Sequence, residues 1–335
     1  MNPGPSIDGV LVQWGERLFY PRTRMVKVAP LPHLAKAALH HHAGHIRQRI
    51  EAMVLRRAPQ VMVKVTGGGR GMAAIAAHFR YIAKAGRLPF EDDRSVEREG
   101  KDALRDLAEQ WRHGGSRIDE TSPRREAFNI MLSMPAGIDP LIVQKAAREF
   151  AQTELADHRY VMVLHDHQAN PHVHLSVRAE SKHGKRLNPR KADLHRWRVT
   201  FADKLRGWGV EAEATRQATR GEQRRYATLW QMKAEQEGRL HKPYAESKAG
   251  GKAKANRAQA MLAWAHITQA LAGSDQPEDR RLAEAIVRYV RQMPHFVELQ
   301  RARQREHGRQ RELPGISQVH IDPRTLARSA PEIQR

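Results

Sequence analysis

Cysteine is absent from the 335 residues. That excludes disulfides and cysteine-ligated zinc, and it allows a reducing compartment. No run approaches the roughly 18 apolar residues that a membrane helix needs, so no membrane insertion is expected. The opening MNPGPSIDGVLVQWGERLFY has no cationic start followed by an apolar run and does not read as a signal peptide. Internal repeats of useful length are missing. The loop TGGGRG (66–71) lacks the Gly-Lys-Ser/Thr ending of a nucleotide-binding P-loop. Its glycines read instead as a close backbone approach near the next helix, with DNA as the candidate neighbour. Helicase signatures are missing too, so unwinding would fall to another protein. Acidic charge is scarce: Asp plus Glu is 37 against 58 Lys plus Arg, a formal net charge of +21. An excess spread along the whole chain points to a polyanionic partner, and nucleic acid is the default, ahead of a merely solvated basic surface.

The length allows one large domain or two ordinary ones, and the pattern divides the chain in three. Residues 1–58 form a basic N-terminal arm. It contains HLAKAALHHHAGHIRQRIEAMVLRR, a helical segment whose histidines read as a solvated or DNA-facing surface. Residues 59–222 alternate strand-like and helix-like segments. Strands are expected at 60–65, 127–137, 159–165 and 172–180, and helices at 72–86, 103–111, 140–155 and 191–209. The expected class is α+β: a central antiparallel sheet with flanking helices and a helical C-terminal extension. Residues 223–335 are basic and helix-prone, with a Gly/Lys break at 248–255, an amphipathic helix at 281–293 and a polar, disordered last forty residues.

The chemistry concentrates in HDHQANPHVHLSV (165–177). Residues two apart share a strand face, so His172 and His174 point the same way. An antiparallel neighbour ending at His165 would bring a third imidazole opposite them. Three imidazoles from two strands can hold a divalent cation and leave coordination positions open, as a Lewis-acid centre requires. The plainer alternative is a sheet with hydrogen-bonded histidines. An all-imidazole set suits Zn, Ni, Cu or Mn in affinity. Six tyrosines are present. Tyr160 lies in the strand leading to His165. Tyr81 lies in the 72–86 segment, about 200° around the helix from Phe79 and off its apolar stripe, among Ala74, Ala77, His78 and Ala85. Position alone leaves open whether Tyr81 faces a substrate or is a partly exposed packing residue.

The Pro-His-x-His stretch resembles the element of HUH-class single-strand endonucleases, in which a bulky apolar residue, here Val173, separates two histidines. VKVTGGGRGMAAIAAHFRYIAKAGRL is similar to the opening motif of conjugative relaxases of the T-DNA-processing, VirD-like type. LAEQWRHGGSRIDE (107–120), NIMLSMPAG (129–137) and GKRLNPRKADLHRWRVTFADKLRGWGVEAEATRQATRGE resemble further family segments in the same order, covering about 60–222. The resemblance implies a site- and strand-specific relaxase that nicks single-stranded origin-of-transfer DNA. It implies Tyr81 as nucleophile, a 5′-phosphotyrosyl adduct, and Mg²⁺ or Mn²⁺ held by His165, His172 and His174. It also implies relaxosome accessory proteins and a type IV secretion coupling protein as partners, and a bacterial cytoplasmic enzyme translocated with its DNA. Related motifs often carry an acid two positions after the first histidine. Here His167 stands there and Asp166 precedes it, so Asp166, Asp119 and Glu126 are all candidates to orient an imidazole or take the tyrosine proton. Three other readings compete. One is a rolling-circle replication initiator using Tyr226, which follows the histidines. The others are a hydrolytic metallonuclease and a non-enzymatic DNA-binding accessory protein.

Overall fold

The computed structural model describes residues 6–20, 36–222, 229–240, 250–298, 300, 301 and 304. Tyr226 and most of the last forty residues lie outside them. The class is α+β, as expected, around a six-stranded antiparallel sheet. Its strands are β1 (Met62–Gly67), β2 (Phe90–Asp92), β3 (Glu97–Arg98), β4 (Ala127–Ser133), β5 (His158–His165) and β6 (His172–Ser181), in the order β1-β4-β6-β5-β2-β3. The two long central strands, β5 and β6, are the hairpin that carries the histidines.

Period-two alternation sorts the strand residues onto two buried faces. Tyr160 and Met162 of β5 join Val173, Leu175 and Val177 of β6 and Ile130 and Leu132 of β4 in one cluster. Helices α5 (Pro140–Glu154) and α6 (Lys191–Gly207) cover that face through Val143, Phe150, Trp197, Phe201 and Leu205. On the other face, Val161 and Val163 meet Met72, Ile75, Phe79 and Ile82 of α3 (Met72–Ile82) and Leu104, Leu107 and Trp111 of α4 (Lys101–His113). Helix α5 starts where the sequence provides a start: the Asp139 carboxylate accepts from the Leu141 N–H at 2.8 Å, with Pro140 at the first helical position. A two-bond pairing of Arg148 on Glu91, at 2.6 and 2.7 Å, ties α5 to the short strand β2.

Helices α1 (Ile7–Phe19), α2 (Lys36–Val54), α8 (Gly251–Ala272) and α9 (Pro277–Arg291) share a third apolar cluster. It is built on Leu11, Phe19, Ile46, Ile50, Trp264, Ile267 and Ile286. Helices from the N-terminal and C-terminal parts of the chain are thus packed on each other. A short α7 (Leu229–Gln236) precedes α8. Several details depart from the sequence expectations. Helix α1 and the β2–β3 pair were not foreseen. Helix α3 stops at Ile82, because Lys84, Ala85 and Gly86 turn left-handed at φ of 46°, 58° and 86°. The expected break at 248–255 is over by Gly251, where α8 begins. The histidines of α2 are not simply a solvated surface: His40 lies 2.9 Å from the Asp8 carboxylate and His42 lies 3.3 Å from that of Glu16, both on α1.

The glycine loop after β1 approaches the chain's own backbone. A Cβ on Gly68 would fall 2.2 Å from the Ala127 carbonyl oxygen, and one on Gly71 2.3 Å from that of Glu120. The same neighbours cap α3: Met72 N–H donates to the Asp119 carbonyl at 2.9 Å and Ala73 N–H to the Glu120 carbonyl at 3.2 Å. Gly71 has φ +97°, a conformation that costs an L-residue about 1–3 kcal/mol before any clash is counted. Gly71→Ala is therefore expected to lower stability by at least that much in denaturant melts. Gly137→Ala is the control, because Gly137 has φ +91° but nothing within 4 Å of the added carbon. Equal losses in the two variants would show that the packing around Gly71 contributes nothing.

Candidate metal centre and tyrosine

The register of β5 and β6 places His165 directly opposite His172 and Val163 opposite His174. All three histidines take the parity of Val161 and Val163, so they project from the face that α3 crosses. Ring centroids are 5.1 Å apart for His165 and His172, 4.6 Å for His165 and His174, and 5.0 Å for His172 and His174. One ring nitrogen from each lies within 4.8 Å of the others. The sequence expectation of converging imidazoles is met in geometry.

Two of the rings are held in defined tautomers. A backbone carbonyl can only accept, so His165 donates from Nε2 to the Ile82 carbonyl at 2.6 Å, and His172 donates from Nδ1 to the Asn170 carbonyl at 2.9 Å. In the neutral form of each ring the opposite nitrogen, His165 Nδ1 or His172 Nε2, carries a lone pair. Burial favours the neutral form: it pushes His174 down to about 3 and also lowers His165, where the hydrogen bond to Ile82 partly opposes it. Neutral imidazoles with outward hydrogen bonds and inward lone pairs are what a divalent cation requires, so the donor set fits one.

Beside the triad stands Tyr81, on the last turn of α3. Its ring is 6.4 Å from that of His174 and its side chain is 53% exposed. It is thus open to a substrate and next to a candidate ligand. Tyr160 is excluded as an attacking group: it points to the α5/α6 face, is 3% exposed, and burial pushes its phenol up to about 12. Tyr289 is buried in the cluster of the terminal helices. Sequence reasoning passed over His78, one turn before Tyr81. Its ring lies 6.2 Å from that of Tyr81 and 6.5 Å from that of His174. The i, i+3 spacing was the available signal.

The carboxylates fare differently. Asp119 is exposed, 3.6 Å from Arg117, and its backbone caps the start of α3. Tyr81 is nine residues further along that helix, about 14 Å at 1.5 Å per residue, so the fold does not bring Asp119 to the tyrosine. Asp166 is exposed just past β5 and its carboxylate is outside the histidine cluster. Burial raises Glu126, but hydrogen bonds from Arg124 and Ser122 and the charge of Arg186 outweigh that and hold it below the usual carboxylate range. A carboxylate so engaged is a structural anchor, not a base. His167 is exposed, with its ring 5.2 Å from His165.

Residues 87–209 match the family model of the MobA/VirD2-like relaxase nuclease domain. The match spans well under half of the chain, and over this segment it supports a conjugative relaxase of the HUH type. The match takes in all three histidines, while Tyr81 lies six residues before it. No curated protein matches the chain. No helix among the described residues is long and apolar enough to cross a membrane. The relaxase domain implies DNA binding and nuclease or strand-transferase activity, and the triad supplies a place for a metal.

The enclosed histidines predict a pH dependence of folding. His174 is held neutral down to about 3, and His78 and His195 down to about 4, in each case mainly by burial. In the unfolded chain each protonates near 6.5. The stability contributed by keeping them neutral is present above pH 6.5 and is lost as the pH falls from there toward about 4 for His78 and His195 and about 3 for His174. Urea midpoints of metal-free protein should therefore drop across that window and be flat between pH 7 and 8 as far as these groups decide. A midpoint that does not move between pH 6.5 and 4.5 would contradict the burial of these rings.

Proposed function

We propose that this relaxase nicks single-stranded origin-of-transfer DNA by transesterification, with Tyr81 as the nucleophile. The observation that supports it best is the exposed Tyr81 ring 6.4 Å from His174, on the face where the three imidazoles converge. The Tyr81 hydroxyl oxygen attacks the scissile phosphorus, and its proton leaves to a base or to solvent. The bond from phosphorus to the 3′ oxygen breaks, and the leaving oxygen takes up a proton as a free 3′-hydroxyl. The 5′-phosphate stays on Tyr81 as a phosphodiester. The bond is exchanged, not hydrolysed, so attack by a 3′-hydroxyl can run the step backwards and reseal the strand.

His165, His172 and His174 would hold the divalent cation, for which Mg²⁺ or Mn²⁺ is proposed, and when bound it would neutralise charge on the phosphate oxygens. The hydrogen bonds from His165 to Ile82 and from His172 to Asn170 fix the directions of two of these rings. The Ile82 carbonyl follows directly on Tyr81, so the residue after the nucleophile also carries a ligand's partner. A free phenol is a weak nucleophile at neutral pH, and of the candidate acids Asp166 adjoins the candidate ligand His165 in the chain. Also proposed are nuclease-domain limits at 59–222, origin-region DNA with relaxosome proteins and a coupling protein as partners, and transfer from a bacterial cytoplasm with the bound strand.

Tyr81→Phe removes one exposed oxygen and no buried packing. It should abolish cleavage and the covalent adduct on origin-region oligonucleotides while single-strand binding persists. His172→Ala with His174→Ala should likewise reduce cleavage to background and keep binding. Denaturing gels of protein incubated with oligonucleotide and Mn²⁺ read both results. Cleavage by Tyr81→Phe that leaves no protein on the DNA would favour a metal-activated water. An adduct that survives in Tyr81→Phe and disappears in Tyr226→Phe would favour the initiator order.

A second expectation concerns salt. If about 6–10 phosphates are neutralised, log affinity for single strands should fall with log salt at roughly −0.7 per phosphate. Binding that is insensitive between 50 and 300 mM salt, to take about that range, would separate the +21 charge from DNA recognition.

A further inference from the structure

Each imidazole that ligates a metal has a second nitrogen, and the partner of that nitrogen sets the tautomer and the ring direction. His165 and His172 have theirs in backbone carbonyls. His174 does not: its Nδ1 is enclosed and has no hydrogen-bond partner. Its other nitrogen is not among the enclosed, unpartnered atoms, and the residue is only partly buried. Nε2 is therefore the nitrogen on the open side of the site, and Nδ1 is the inward one. The neighbouring ring carries a second enclosed, unpartnered nitrogen, His78 Nε2. The two rings face each other edge to face, 6.5 Å between centroids at 78°. Enclosed polar atoms are rarely left unpaired, and here two orphans of complementary capacity are neighbours.

We propose that His78 is the outer partner of His174: the 6.5 Å between centroids leaves the two nitrogens beyond direct hydrogen-bond distance, and a closure of the rings by about 1 Å lets Nε2 of His78 accept from Nδ1–H of His174 and turn His174 Nε2 toward the cation. The inference rests on the reading of the triad as a metal centre. His78 is a positioning residue, and its place on α3 gives it a second consequence. It stands one turn before Tyr81, its ring nearly parallel to the tyrosine's at 27°. One helix then presents the nucleophile, receives His165 on the Ile82 carbonyl and braces His174. Attacking group and ligands are referred to a single rigid element.

The test is Mn²⁺ titration of the full chain by calorimetry, without DNA. His78→Phe keeps an aromatic ring and removes the acceptor. His78→Gln restores an amide oxygen at about the reach of Nε2. Loss of such an outer partner is expected to weaken metal affinity by about 10–100-fold in His78→Phe, with most of it recovered in His78→Gln. Single-strand binding in the absence of metal should be equal in all three proteins. Long-range ¹⁵N–¹H spectra of the imidazoles should show His174 protonated on Nδ1 in the parent protein and as a tautomer mixture in His78→Phe. This readout does not depend on activity and would not respond to loss of packing alone. A folded His78→Phe protein that binds Mn²⁺ as tightly as the parent and keeps the Nδ1–H tautomer overturns the proposal. Should the parent protein not bind Mn²⁺, or His172→Ala bind it equally well, the metal-centre reading fails instead, and the tautomer of His174 then decides the His78 contact by itself.

Discussion

The site depends on one register. His165 faces His172 across the β5–β6 pair, and because side chains alternate with period two, that pairing decides which face every residue of the hairpin meets. A slip of one residue would send His172 and His174 into the packed layer under α5 and α6 and bring Val173 and Leu175 out toward α3. The apolar load resists the slip from both sides. Met162, Val173, Leu175 and Val177 belong to one core, and Val161 and Val163 to the other. Each fully buried aliphatic side chain is worth about 1.5–3 kcal/mol. Three histidines would have little control over their own placement. The valines and leucines between them set it.

The same logic extends to the tyrosine helix. Its N-terminus is held by the carbonyls of Asp119 and Glu120, and its C-terminus is cut short by Lys84, Ala85 and Gly86 at positive φ. Two of those are not glycine, and left-handed backbone at such residues costs about 1 kcal/mol or more each. What the turn secures is an early stop at Ile82. The last carbonyls of a helix lack intrahelical donors, and the Ile82 carbonyl receives the His165 ring. Strain after the helix and a hydrogen bond to a candidate ligand are thus parts of one arrangement.

Much of this was legible in the sequence wherever a periodic pattern ran long enough. The HDHQANPHVHLSV hairpin, the stripe of α3 and the span of α5 carry local signals that the fold obeys. Short elements were not legible. Strands β2 and β3 span three and two residues, and Phe90–Asp92 is a strand because β5 offers an edge, not because of its own propensity. Helix α1 was missed because its partners Trp264 and Ile267 lie some 250 residues away, and no local pattern reports them. The carboxylates show a different limit. Asp119, Glu126 and Asp166 are equivalent as residue types, and only their surroundings separate a helix-capping segment, a clamped anchor and an exposed acid. His78 carries the reverse lesson: an ordinary helical histidine becomes informative once its nitrogen is found enclosed beside another that also lacks a partner.

The surplus of positive charge has to be read against the same structure. Several arginines are committed to the interior. Arg178 donates to the carbonyls of Trp111 and Gly114, and Arg220 to that of Ala58. Arg49 and Arg148 are paired with Glu213 and Glu91. Burial lowers Arg178, Arg216 and Arg220 below the usual guanidinium range, yet guanidinium remains charged at any working pH. These charges are fixed by carbonyls and acids inside the fold, so they contribute to the long-range field without being free to contact a phosphate. Electrostatic steering follows the total, because it acts at a distance. The number of phosphates released from their counterions follows only the groups that can reach the strand. A basic protein of this kind can therefore attract a polyanion through its whole charge while contacting it only through lysines and arginines at the surface. One face of the sheet is left to the three imidazoles and the tyrosine.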